Sequence, residues 1–341
     1  MRARRPVTTP ASGTAPPGPV LPALLTLVLL TLVMTGLVLA GLVLPGPGRA
    51  GSVTDGDGLP WPREGQAAVE IEGRGVLGVR GTRTPVPIAS LAKVMTAYVV
   101  LEDHPLMGSR SGPLITIDAT AERESSSPDE STVYVIRGRT YTQRQLLQLM
   151  LIRSGNNIAR LLARWDAGGQ AAFVAKMNRT AAALGMADTV YTGASGYEDT
   201  TRSTAADQLK LARAAMGNPV LRAIVATRET TVPGIPGMIV NTNTLLGTSG
   251  VIGLKTGSST AAGGNLMWAA RGGRRLILGV VLHQRAGSPP ARGLGAALDA
   301  SGRLVAAIQR DMGEPAGGRD GPGVRGVSGP AAGRPAAGRA G

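Results

Sequence analysis

Ser90 and Lys93 stand three residues apart at the opening of an apolar-periodic run, which places a hydroxyl nucleophile beside an amine that could serve as its base. Leu91, Val94, Met95, Tyr98 and Leu101 recur at helical spacing and predict a helix with one face in a core. At positions i and i+3 the two polar side chains share a helix face, about 5–6 Å apart at Cβ. Lys93 can take a proton only when neutral, which requires lowering an amine pKa of about 10.4 by ~3 units, or ~4 kcal/mol, through burial and a neighbouring cation. Two further short motifs follow in order, Ser154-x-Asn156 and Lys255-Thr256-Gly257. With 4 lysines and 18 serines in the chain, chance gives roughly 0.2 occurrences of S-x-x-K and roughly 0.05 of K-T-G, hence on the order of 0.01 for both together. Taken singly, Ser90 reads as a helix cap, Lys93 as a solvated lysine, and Ser154-Gly155-Asn156 as a turn between helices. The conjunction is what points to chemistry.

Composition removes several other chemistries. The 341 residues contain no cysteine, which excludes disulfides, thiolate catalysis and cysteine-ligated zinc. The two histidines, His104 and His283, fall near a helix end and a strand end and read as structural, so no metal site and no cofactor is expected. Gly193-Ala-Ser195-Gly196 is not a nucleophile elbow, because its second glycine comes one residue early. The net charge is +14 and 32 of the 36 basic residues are arginine. They are scattered, and aromatics make up 3% of residues, so no nucleic-acid partner is expected. A basic surface suits an anionic membrane or cell wall.

The elements that must position these residues can be read in chain order. Residues 1–22 are a basic, Pro-rich cytoplasmic N-terminus. Residues 23–44 carry no charge over 22 positions, long enough to span a bilayer. That run exceeds a signal-peptide core and predicts a signal anchor. Arg2, Arg4 and Arg5 ahead of it would keep the N-terminus inside and place the rest outside the cell, as a single-pass protein of the cell membrane or, if the segment is cleaved, a secreted one. Residues 45–65 read as a linker, 66–312 as the catalytic domain, and 313–341, rich in Gly, Pro, Ala and Arg, as a disordered tail. Within the domain, residues 67–72 and 76–80 predict a hairpin, and 114–117 and 132–136 predict short strands in a loop-rich region. Thr142 and Gln145 predict a capping box opening a helix to Arg153. Further helices are expected over 158–165, over 170–184 closed by Gly185, and from a Thr204 cap to Met216. Residues 251–257, 265–270 and 275–282 predict three strands of an antiparallel sheet, with a last helix over 289–312.

The three motifs resemble those of the penicillin-recognising serine enzymes, the penicillin-binding proteins and β-lactamases. Within that group the chain is most similar to the low-molecular-mass D-alanyl-D-alanine carboxypeptidases. The residues that carry this are Ala89-Ser-Leu-Ala-Lys-Val-Met-Thr-Ala97, Ser154-Gly-Asn-Asn-Ile-Ala-Arg-Leu-Leu-Ala163, Ser195-Gly-Tyr with Ser203-Thr-Ala-Ala-Asp207, and Lys255-Thr-Gly with Ala262-Gly-Gly264. The likeness covers roughly residues 66–285. The chain departs from the family in having Asn157 where Asp is frequent, a membrane span before the catalytic unit, and no β-rich domain or amphipathic anchor after it.

The resemblance implies an α/β (α+β) fold, an antiparallel sheet flanked by helices plus a helical lobe with the site between them. It implies that Ser90 attacks the peptide carbonyl, that Lys93, kept neutral by Lys255, takes its proton, and that Ser154 relays it to the leaving amine. Asn156 would bind the substrate's amide, and Lys255 and Thr256 its terminal carboxylate, with Gly257 allowing close strand pairing. The backbone N–H groups of Ser90 and Ser258 would form the oxyanion hole. The partners implied are peptidoglycan stem peptides ending in D-Ala-D-Ala, with β-lactams as covalent inhibitors. A β-lactamase, or a non-catalytic wall-binding or β-lactam-sensing protein, are the rival expectations. The class A β-lactamase loop glutamate is missing from residues 157–254, where Glu198 and Asp199 come closest and read as solvated loop charges.

Overall fold

The computed structural model describes residues 56–313; the expected span at 23–44 and the tail beyond Gly313 lie outside the described residues. Five strands form one antiparallel sheet: β1 (Gln66–Ile71), β2 (Gly75–Arg80), β3 (Val251–Ser259), β4 (Gly263–Gly272) and β5 (Arg275–Gln284). Their spatial order is β2-β1-β5-β4-β3, so the chain's first hairpin pairs with its last strand and β3 is left as a sheet edge.

Both faces of the sheet are covered over β1, β4 and β5, which is why these strands read as nearly continuous apolar runs, while edge strand β2 is largely exposed. On one face, Ala67, Val69, Ile71, Leu266, Trp268, Ala270 and Val281 meet Ala297, Ala300, Leu304 and Ile308 of a long C-terminal helix, Pro290–Asp311. Leu59 joins this core and Trp61 packs beside it, ahead of β1. The alternate residues Ala68, Met267, Ala269, Leu278 and Val280 face the larger core of the helical lobe.

At the centre of that lobe lies α1 (Ala92–Asp103), with nine of its twelve residues buried, Lys93 among them. A helix apolar nearly all round belongs inside. Around it pack α2 (Ala119–Glu124), α3 (Gln143–Leu151), α4 (Asn156–Ala167), α5 (Gln170–Ala183), α6 (Ala205–Gly217) and α7 (Pro219–Val225). The capping box at the start of α3 is present: Thr142 accepts from the Gln145 amide at 3.2 Å, and the Gln145 side chain accepts from the Thr142 amide at 2.8 Å. The antiparallel sheet between a long helix and a helical lobe is the expected fold class.

Local corrections have physical causes. Ser90 does not begin the α-helix; it sits in a 3-10 turn, Ala89–Leu91, that runs into α1. Residues 132–136 are not a strand. The partner of Leu114–Thr116 is Thr140–Thr142, because the backbone at Val133 is bonded instead to the Asn157 side chain, whose Oδ1 accepts from Val133 N at 3.1 Å and whose Nδ2 donates to Val133 O at 2.8 Å. The α3 helix stops at Leu151, two residues before the expected Arg153, and α4 starts at Asn156.

Candidate active site

The Ser90 turn is held between β3 and the loop that follows Tyr191. A Cβ on Gly257 would lie 2.9 Å from the Ser90 amide nitrogen and 3.0 Å from the Ile88 carbonyl oxygen, so only glycine lets the edge strand run this close to the turn. From the other side, Gly196 (φ 74°) presses on the Ala89 carbonyl, and Ala89 itself takes a positive φ of 46°. The turn is therefore fixed from both flanks, and Ser90 opens onto a cleft shared with Asn156, Gly196, Tyr197, Ser258 and Ser259. The cleft encloses about 560 Å³, within the range of small-ligand sites.

Lys93 has no exposed surface and does not itself line the cleft, but it bonds to Ser90 and Asn156, which do. Its Nζ donates to Ser90 Oγ at 2.7 Å, to Asn156 Oδ1 at 2.5 Å and to the Ser195 carbonyl at 2.8 Å. Burial pushes its amine well below the ordinary lysine range; Lys255 and Arg160 push the same way, while Glu130 and Glu198 push back. A buried amine within hydrogen-bond reach of a hydroxyl, biased toward its neutral form, is equipped to act as a general base.

Lys255, on edge strand β3, is also fully buried, and burial pushes its amine down to about 7. Its Nζ donates to the Thr256 carbonyl at 2.8 Å, and Thr256 Oγ1 pairs with Thr242 Oγ1 at 2.5 Å. The open edge of β3 gives a peptide an additional-strand docking position beside Ser90. Ser258, next along β3, lines the cleft. Ser154 is buried in the turn before α4 with φ 68°; Lys93 reaches Asn156 and the Ser195 carbonyl rather than its hydroxyl.

The D-alanyl-D-alanine carboxypeptidase family, peptidase S11, matches residues 65–286. The chain belongs to this family. It is 37% identical over 239 residues to the D-alanyl-D-alanine carboxypeptidase DacB2 of Mycobacterium tuberculosis, covering 68% of this chain and 78% of that protein. It is 34% identical to the carboxypeptidase DacD of Escherichia coli, where the match covers 57% of this chain but only 51% of the relative's length. The crystal structure of the Streptomyces K15 DD-transpeptidase superposes with a TM-score of 0.63 at 28% identity, over 71% of this chain and 95% of that one. The fold is that of the penicillin-binding-protein and β-lactamase type.

At this site Glu130 carried no sequence signal, and the contacts made by Ser195 and Glu198 could not be read from the sequence. Glu130 bonds Asn156 Nδ2 at 2.7 Å and Arg160 Nη2 at 2.5 Å through the same Oε2. It precedes the second motif, outside residues 157–254, where the loop glutamate of a class A β-lactamase would lie. The Ser195 contact uses a backbone carbonyl, which any residue type supplies. Glu198 is not a solvated loop charge: its Oε2 is buried beside Gly193 and has no hydrogen-bond partner among the described residues. Asp199 does line the cleft, where its Oδ1 accepts from Ser259 Oγ at 3.3 Å. Groups of acidic or histidine side chains able to hold a metal ion are absent among the described residues.

Proposed function

We propose that this protein is a serine-type D-alanyl-D-alanine carboxypeptidase that removes the terminal D-alanine of peptidoglycan stem peptides through an acyl-enzyme on Ser90. The observation that carries the reading is the buried Lys93 amine 2.7 Å from Ser90 Oγ. In this mechanism neutral Lys93 takes the Ser90 proton as Oγ attacks the carbonyl between the two D-alanines. The Ser90 and Ser258 amides stabilise the oxyanion. Ser154 passes the proton to the leaving D-alanine, and water then frees the acyl peptide. Asn156 bonds the amide of the acyl part, while Lys255 and Thr256 receive the terminal carboxylate as the peptide lies along β3, with Gly257 allowing the approach. A β-lactam, which resembles that peptide end, acylates the same serine.

Residues 66–312 form the catalytic domain in this proposal, joined through the 45–65 linker to a membrane anchor at 23–44, with 313–341 as a tail. Three arginines ahead of the anchor orient the catalytic domain outside the cell. Among the described residues no helix is long and apolar enough to cross a membrane, so anchoring rests on the sequence of 23–44 alone.

The test is free D-alanine released from a short peptide ending in D-Ala-D-Ala by the parent chain and by Ser90→Ala. Release by the parent that disappears in the variant supports the proposal. Release that survives the substitution refutes it.

A further inference from the structure

We infer that Glu130 is a positioning residue of this site, locking the Asn156 carboxamide with Oδ1 toward Lys93 and one Nδ2 hydrogen left for a substrate carbonyl, and that Arg160 holds Glu130 in place. The inference rests on the proposed role of Lys93 as the base for Ser90.

An asparagine beside a lysine has two possible orientations, and which one holds depends on the protonation of the amine. A charged Lys93 is donor-only and selects Oδ1. A neutral Lys93 carries a lone pair, and a flipped Asn156 could donate Nδ2–H to it. That bond would occupy the lone pair needed for the Ser90 proton. A carboxylate is acceptor-only, so Glu130 penalises the flip: it would bring Oδ1 against Oε2, where Nδ2 now donates at 2.7 Å.

The position of Glu130 is itself built. The neighbouring Ser131 carbonyl accepts from the Asn156 amide at 2.8 Å, and Asn157 ties Val133 to the same helix start. Arg160, one turn further along α4, donates to Glu130 Oε2 at 2.5 Å, sits 3.4 Å from Glu124 and lies over the Tyr197 ring at 5.8 Å. The Glu130 and Arg160 side chains are only 11% and 12% exposed, so this pair is little screened by water.

The charges that face Lys93 are Lys255 from β3, Arg160 from α4, Glu130 from the segment after α2, and Glu198 from the loop after Ser195. Their signs give the inference a readout that structural damage does not share. Acylation needs neutral Lys93, so its rate falls on the acid side as Lys93 protonates. Removing the Arg160 cation lets Lys93 hold its proton to higher pH and moves that acid limb upward. Removing the Glu130 charge does the opposite.

The experiment measures acylation of the full-length chain by a fluorescent penicillin as a function of pH, with melting temperature recorded for each variant. Glu130→Ala is expected to slow acylation about 30-fold. Glu130→Gln, whose Oε1 can still accept from both Asn156 and Arg160, recovers most of that loss while its acid limb moves down. Arg160→Met moves the limb up. An Ala variant that acylates within twofold of the parent overturns the inference, and so do Glu130→Gln and Arg160→Met limbs that move the same way. If Glu130→Ala does not fold, the two limbs decide by themselves. An unlabelled parent overturns this inference together with the acyl-enzyme reading; a labelled parent with unresponsive variants overturns this inference alone.

Discussion

Replacing Gly257 by alanine places a methyl carbon 2.9 Å from the Ser90 amide nitrogen, 3.0 Å from the Ile88 carbonyl oxygen and 3.0 Å from Leu91 Cδ1. Ordinary contacts of this kind begin at 3.4 Å, and two of the three atoms belong to backbone that cannot rotate away. Edge strand β3 and the Ser90 turn must therefore part by about 0.5 Å, the difference between 3.4 and 2.9. A misplacement of 1 Å in a catalytic array costs up to ~100-fold in rate, so half of that predicts about a 10-fold slower acylation of Ser90. Overpacking costs about 1–3 kcal/mol, or a melting temperature lower by roughly 3–10 °C for a domain of this size. The sign is informative, since alanine in place of glycine in an unobstructed strand is stabilising by roughly 0.5–1 kcal/mol. The assay is penicillin acylation kinetics with a thermal melt of the same sample. A variant that melts at or above the parent temperature and acylates within twofold refutes the claim that Gly257 sets the distance between strand and turn.

Three other substitutions follow from the same geometry. Lys93→Arg abolishes acylation, because a guanidinium stays charged in a protein and cannot accept the Ser90 proton; labelling near the parent level in a folded variant contradicts the assignment of Lys93. Lys255 has its amine pushed down from 10.5 to about 7 by burial, so between those pH values the unfolded chain binds more protons and stability rises with pH. Lys255→Met removes that dependence, which is worth on the order of 5 kcal/mol across the window. The parent therefore gains melting temperature on the variant from pH 7 to pH 10, and parallel curves refute the shift. Asn157 donates Nδ2 to the Ala121 and Val133 carbonyls at 3.2 and 2.8 Å. Asn157→Asp puts in a carboxylate that cannot donate, and is expected to cost about 1–3 kcal/mol, read as a lower melting temperature; an unchanged melt would show those bonds to be immaterial.

Local rules carried much of the fold. The strands at 263–272 and 275–284 are largely apolar runs joined by a turn that carries Gly273, and the Thr142–Gln145 box marks a helix start by chemistry confined to four residues. The pairing of Leu114–Thr116 was not legible, because β-forming residues at 132–136 compete for it on propensity while the outcome is set by the side chain of Asn157, more than twenty residues away. At the site, Ser90 and Lys93 announce themselves because three residues on a helical path bring them together. Lys255 and Gly257 are legible only as a motif, since nothing local says that their strand is a sheet edge beside the Ser90 turn. Glu130 and Arg160 have no such spacing: the sequence separation of 26 between Glu130 and Asn156 is closed by α3 and by backbone bonds, a tertiary relation that no sequence period encodes. Glu198 misled for a related reason, since an acidic loop residue defaults to solvent unless the packing against Gly193 is known.

Ser90 carries the acyl group in the proposed mechanism, and water hydrolyses the penicillin-derived ester slowly because its leaving group stays tethered. Full-length chain incubated with penicillin, followed by intact mass and peptide mapping, tests both when D-alanine release from a D-Ala-D-Ala peptide is timed on the same preparation. The expected result is a stoichiometric, long-lived adduct on the peptide containing Ser90, with D-alanine released far faster than penicillin is turned over. An adduct on another residue contradicts the account, and so does one that clears within seconds while penicillin is consumed catalytically, which is the behaviour of a β-lactamase.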